Sequence, residues 1–189
     1  MNNLLKHILI YSIFHNIYIK SNFYKNKNKH YNKNIYKHTG RLKKINIYSL
    51  SCFNITLAGL FLIKYPLNDI YYQSFFPKLL IIQGILSYFS DVLYVGENNK
   101  YNHLDFTFAI YNTIITIILA KKYNLSFIKK MIFISGILIK KLDTYYFKNA
   151  NIKKYYYTHT IWHTILPFLS IYVVYKDNQN KNYNTIKNI

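Results

Sequence analysis

Five apolar blocks, each cut off from the next by a short run rich in lysine, asparagine or tyrosine, leave this chain few ways to fold. A soluble domain scatters its apolar residues with a period of about 2 or 3.6, so that one face of each element stays wet. Here they are gathered instead, at 47–63 (IYSLSCFNITLAGLFLI), 78–95 (KLLIIQGILSYFSDVLYV), 104–120 (LDFTFAIYNTIITIILA), 129–140 (KKMIFISGILIK) and 155–175 (YYYTHTIWHTILPFLSIYVVY). A helix needs about 20 apolar residues to cross a hydrocarbon core, and backbone without water to bond must satisfy itself within the helix. The fourth block reaches that length only if extended back through 123–128. The pattern predicts an all-α, polytopic helical membrane bundle with about five transmembrane helices, in a range of four to six. The implied location is an integral, multi-pass membrane protein, with membrane lipids as its surroundings and partners.

Three regions follow. Residues 1–46 join an apolar segment (1–19), interrupted by Lys6, His7, His15 and Asn16, to a basic tail (20–46) without a single acid. The apolar segment is compatible with a signal, an anchor or a span, and its sequence leaves these open. The tail reads as a solvated arm able to contact anionic headgroups. Its interleaved aromatic and lysine residues would also suit stacking on single-stranded nucleic acid. Nothing in the chain resembles a folded nucleic-acid module, which weighs against that partner. Residues 47–175 form the transmembrane helical domain, and 176–189 a polar C-terminal tail. The formal charge of +19 arises from 25 Lys and Arg against 6 acids. Lys, Asn, Ile and Tyr are also the residues of AT-rich codons, so the charge is weak evidence for a polyanion partner.

Ionisable groups inside a span are costly, roughly 2.5–3.5 kcal/mol at its centre, so each is a candidate for function. Asp91 lies late in the second block and Asp105 opens the third. Ser87 and Asp91 are four residues apart, as are His159 and His163, so each pair shares a helical face. A hairpin between the second and third blocks would set Asp91 and Asp105 at similar depth. Two imidazoles at this spacing with a carboxylate make the protein half of a zinc site with an open fourth position. Zinc there would lower the pKa of bound water to about 7. The second carboxylate would serve as general base or hold a ligand imidazole, and a serine hydroxyl would donate to an anionic intermediate. The single cysteine, Cys52, excludes an intrachain disulfide and reads as a small packing residue.

The order S-x-x-x-D, then H-L-D-F-T-F-A, then H-T-I-W-H, over residues 78–175, resembles the CREST superfamily of membrane hydrolases. That group includes alkaline ceramidases and adiponectin-receptor-like proteins. The resemblance implies a helical membrane fold around a buried zinc ion and cleavage of an amide or ester bond in a lipid such as a ceramide. It implies catalytic roles for Ser87 and Asp105, and metal ligation by His159 and His163. Asp91 stands where the family has its first histidine ligand, giving a His2Asp set, and His103 offers a further imidazole nearby. The stretch between the third and last blocks is too short for the three spans the family has there, as in a shortened, divergent relative. The alternative is a non-catalytic scaffold or receptor-like membrane protein of the same fold. Seven histidines, with His7, His15, His30 and His38 ahead of the first block, are too dispersed for a membrane di-iron centre.

Overall fold

The computed structural model describes residues 47–187 apart from 68, 95–99, 124 and 150, together with Ile10. Among these residues every regular element is helical. The helices are α1 (Ile47–Ser51), α2 (Phe53–Lys64), α3 (Ile70–Gln73), α4 (Phe76–Tyr88), α5 (Lys100–Lys122), α6 (Phe127–Lys148) and α7 (Ile152–Lys187). A π-helical turn, Phe89–Leu93, continues α4. The basic tail and, apart from Ile10, the apolar segment of 1–46 lie outside the described residues.

The breaks have local causes. Pro66 disfavours helical backbone at the residue before it, and Tyr65 leaves the helix with φ −119° and ψ 77°. Pro77 sits in the first turn of α4, where its missing N–H costs nothing. Ser126 enters α6 with extended backbone, φ −57° and ψ 158°.

Contacts across the bundle fix the direction of each helix. Gly59 lies against Ile81 and Gly84 against Thr56, so α2 and α4 are antiparallel. Asn102 bonds Ser90, Ser87 bonds Asp105 and Asn112 bonds Gln83, so α4 and α5 are antiparallel as the hairpin reading required. Gly136 meets Ile165 and Asp143 meets His159, which reverses α6 against α7. Tyr48 stacks near Tyr155, and Ser51 faces His163, so α1–α2 run parallel to α7. The long helical segments therefore alternate in direction, and the first and last lie side by side.

Two glycines bring α2 and α4 together. A Cβ on Gly84 would stand 2.1 Å from Thr56 Oγ1 and 2.8 Å from the Thr56 amide nitrogen, and one on Gly59 would stand 2.6 Å from the Pro77 carbonyl oxygen. Small residues allow this backbone approach, and the dispersion gained over it is what holds apolar helices together where water supplies no drive.

The bundle is apolar outside and partly polar inside. Leu57, Leu60, Ile63, Ile82, Ile85, Ile117, Ile118 and Leu138 are exposed, whereas Gln83, Ser87, Asp91, Asn112, Asp143, His159 and His163 are buried. A second interior region packs Leu62, Phe75, Phe76, Leu119 and Val173 together.

Three segments are long and apolar enough to cross a membrane: Ile47–Lys64, Phe76–Leu93 and Lys100–Lys122. The fourth and fifth blocks form helices without meeting that standard. In α6 the apolar core is bracketed by Lys129–Lys130 and Lys140–Lys141, with Asp143 following; in α7 tyrosine, threonine and histidine dilute the first three turns. Both are longer than their blocks. The 140–154 stretch, read as a loop, is helical through Lys148, and α7 continues into the polar tail as far as Lys187.

Candidate metal centre

The site is built where α1, the π turn, α6 and α7 meet. In the π turn the Tyr94 amide donates to the Phe89 carbonyl at 3.0 Å, five residues back. Such turns widen a helix locally and are frequent at functional sites. Here the widening splits a pair that an unbroken helix would stack. Ser87, on α4, donates its hydroxyl proton to Asp105 Oδ1 on α5. Asp91, inside the π turn, reaches α7 instead, with Oδ2 2.9 Å from His159 Nε2 and 3.5 Å from His163 Nε2.

Each of these groups is held from behind. Ser90 Oγ donates to Asp91 Oδ1 at 3.0 Å, and Asn102 Nδ2 donates to Ser90 Oγ at 3.2 Å. Tyr48 OH donates to the Asp91 carbonyl at 2.9 Å. His159 Nδ1 lies 3.0 Å from Asp143 Oδ1, and the other Asp143 oxygen takes a 2.8 Å contact from Lys140 Nζ. His163 Nδ1 lies 3.3 Å from Ser51 Oγ. The Ser51 hydroxyl gives its own proton to the Tyr48 carbonyl at 2.7 Å. It therefore accepts from His163, which places the imidazole proton on Nδ1 and the lone pair on Nε2. The two imidazoles meet edge to face with ring centroids 4.3 Å apart.

Of the five residues singled out in the sequence, Ser87, Asp91, His159 and His163 are buried and Asp105 is half-buried. Asp91, His159 and His163 come together, while Ser87 and Asp105 form a neighbouring pair within electrostatic range of them. His103 is buried in the first turn of α5, and Thr107 donates to its carbonyl. Four contributors were not foreseen. Asp143 was hidden behind Lys140–Lys141 in an expected loop, although a chain with only 6 acids gives each one weight. Lys140 read as a span boundary, and Ser51 carries no pattern at all. Cys52, expected to be packing, is fully buried, and its sulfur lies within 4.8 Å of ligand atoms of both Asp91 and His163.

Cys52, Asp91 and His163 form a buried group able to hold a metal ion. Thiolate, carboxylate and imidazole are all zinc ligands, with bonds of about 2.0–2.3 Å that set tetrahedral neighbours roughly 3.3–3.6 Å apart. The 3.5 Å between Asp91 Oδ2 and His163 Nε2 falls in that range. A ligand imidazole commonly donates its second N–H to a fixed acceptor, and Ser51 is that acceptor for His163.

In class, the described residues form an all-helical bundle with three helices long and apolar enough to cross a membrane and a buried group of side chains able to hold a metal ion. Comparison with protein-family models, with curated proteins and with solved structures finds no match to it.

Ser51→Ala leaves His163 Nδ1 without its acceptor and frees the ring to rotate. It is expected to weaken metal binding about 10–100-fold, the usual cost of losing an outer hydrogen bond to a ligand. Titration with a competing chelator measures it.

Proposed function

We propose that the protein is a multi-pass membrane hydrolase that uses a divalent cation, zinc by its donor set, to cleave an amide or ester bond of a lipid such as a ceramide. The observation that carries this reading is the convergence of His159 and His163 on one Asp91 oxygen, with each far nitrogen backed by Asp143 or Ser51. Burial of this much polar chemistry in an apolar-faced bundle is costly and suits a functional site. The alternating directions of five helical segments are consistent with five crossings.

A bound cation in this set supplies water of lowered pKa and a positive charge toward a carbonyl oxygen. The chain's own groups do the rest. Asp105 takes a proton from the attacking water and passes it to the leaving nitrogen or oxygen. Ser87 donates to one Asp105 oxygen and so fixes the carboxylate. Asp143 and Lys140 hold His159, which holds Asp91. The lipid's apolar part has a place to lie in the groove between α5 and α6, lined by Phe106, Ile110, Ile114, Ile137, Lys140 and Trp162. The shared order of Ser87, Asp105 and the H-T-I-W-H pair with the CREST superfamily points the same way.

A second reading has its own support. His159 lies between two carboxylates, and a protonated His159 with Lys140 would balance Asp91 and Asp143 without a metal. That describes a non-catalytic membrane protein with an ionic core.

Metal content by mass spectrometry of detergent-purified protein separates the two. The hydrolase is expected to carry about one zinc per chain, to lose it in the His159→Ala/His163→Ala variant, and to release fatty acid from sphingolipid or phospholipid substrates. Absence of metal from both proteins, even after incubation with zinc, would leave the ionic-core reading.

A further inference from the structure

We infer that Cys52 is a metal ligand of this chain and that His159 is not: the ion is held by Cys52 Sγ, Asp91 Oδ2 and His163 Nε2, with the fourth position open. The inference rests on the metal-site reading above and deepens it.

The two histidines differ in what their nitrogens face. Both nitrogens of His159 stand at hydrogen-bond distance from a carboxylate, 2.9 Å from Asp91 and 3.0 Å from Asp143. Each nitrogen is thus already engaged by a carboxylate on its own side, and His159 stands outside the group of ligand atoms that Cys52, Asp91 and His163 form. In His163 the proton lies on Nδ1, because the Ser51 hydroxyl is already committed to the Tyr48 carbonyl. Its Nε2 lone pair then faces a carboxylate oxygen at 3.5 Å, longer than an N–H···O bond. Two lone pairs pointed at each other inside an apolar bundle repel, and a cation between them turns that repulsion into two bonds.

Cys52 occupies the remaining side of that gap. It stands at the joint between α1 and α2, one residue after Ser51, so a single short stretch positions both the sulfur and the acceptor behind His163. The close approach of α2 to α4 at Gly84, where an added Cβ would meet the Cys52 carbonyl oxygen at 3.2 Å, fixes that joint against the helix that leads to Asp91. Tetrahedral zinc sets sulfur and nitrogen ligands roughly 3.5 Å apart, so closing from the 4.8 Å limit takes little more than one ångström. His159 becomes a positioning residue. It fixes the Asp91 carboxylate and is itself fixed by Asp143, the outer-sphere arrangement that tunes a ligand without touching the ion.

Cobalt(II) tests this, since a cobalt–thiolate bond has a near-ultraviolet charge-transfer band that oxygen and nitrogen ligands lack. The chain has one cysteine, so the band has one source. Full-length protein in detergent, loaded with one equivalent of cobalt, is expected to show the band. His159→Gln should keep the band while binding the ion about 10–100-fold more weakly, the cost of losing an outer hydrogen bond to a ligand; Cys52→Ser should lose the band, and His163→Ala should lose the ion. One equivalent of cobalt bound to the unaltered protein without the band would overturn the role of Cys52 and leave the metal site standing. The band together with loss of cobalt in His159→Gln would restore His159 as a ligand and overturn that half of the inference. No cobalt bound at all would sink both the inference and the metal-site reading.

Discussion

Asp91→Ala is expected to strip the bound metal completely and to lower stability by roughly 3–5 kcal/mol, the cost of leaving a buried charged network without one partner. The carboxylate reaches both His159 and His163 of the last helix, at 2.9 Å and 3.5 Å. Its removal leaves His159 tied only to Asp143, and Ser90 Oγ without its acceptor. Asp91→Asn separates the two effects. It keeps the volume and an oxygen for Ser90 but removes the charge that a divalent ion needs, so the fold should survive better than metal binding does. Thermal unfolding in detergent and metal content, measured on both variants, read the two losses independently. Full metal occupancy in Asp91→Ala would show that the ion sits elsewhere.

The other large effect is expected at the helix contact behind the site. Gly84→Val places a branched side chain where even a Cβ would lie 2.1 Å from Thr56 Oγ1 and 2.8 Å from the Thr56 backbone nitrogen. A hydroxyl can rotate away, but the Thr56 amide belongs to α2 and moves only with the helix. Forcing α2 and α4 apart costs about 1–3 kcal/mol by the usual price of overpacking. It also moves Cys52, Ser51 and Asp91 relative to one another, so metal affinity should fall with stability. Gly136→Ala is the control. There the nearest contact is the Ile165 Cγ2 methyl at 3.2 Å, a side-chain end that can shift, and the Trp162 ring is at 3.8 Å. Unfolding midpoints of the two variants compare a rigid obstacle with a soft one, and equal midpoints would refute the close-approach account of Gly84.

The site was only partly legible along the chain, and the division is instructive. Asp91, Asp105, His159 and His163 stand out because an ionisable residue in an apolar block needs a reason to be there. Ser87 was reached through its spacing from Asp91, yet the π turn sends the two to different partners. Asp143 escaped because the lysines before it suggested that the helix had ended, whereas α6 runs to Lys148 and carries the carboxylate to His159. Ser51 and Cys52 escaped for a simpler reason. A serine and a cysteine in an apolar run are ordinary packing residues until something across the bundle faces them, and His163 is 112 residues from Ser51.

What the amino-acid order determined by itself is local: apolar blocks that must be helical, the break at Pro66, and two histidines on one face of the last helix. These follow from interactions within a few residues, the range over which backbone hydrogen bonding and side-chain periodicity act. What only the tertiary structure decided is which donors converge. That depends on the alternating direction of the helices, the glycine-permitted contact of α2 with α4, and the extra residue in the turn at Phe89–Leu93. Each sets rotation and depth to within an ångström or two between segments distant in sequence, and no spacing within one segment encodes that.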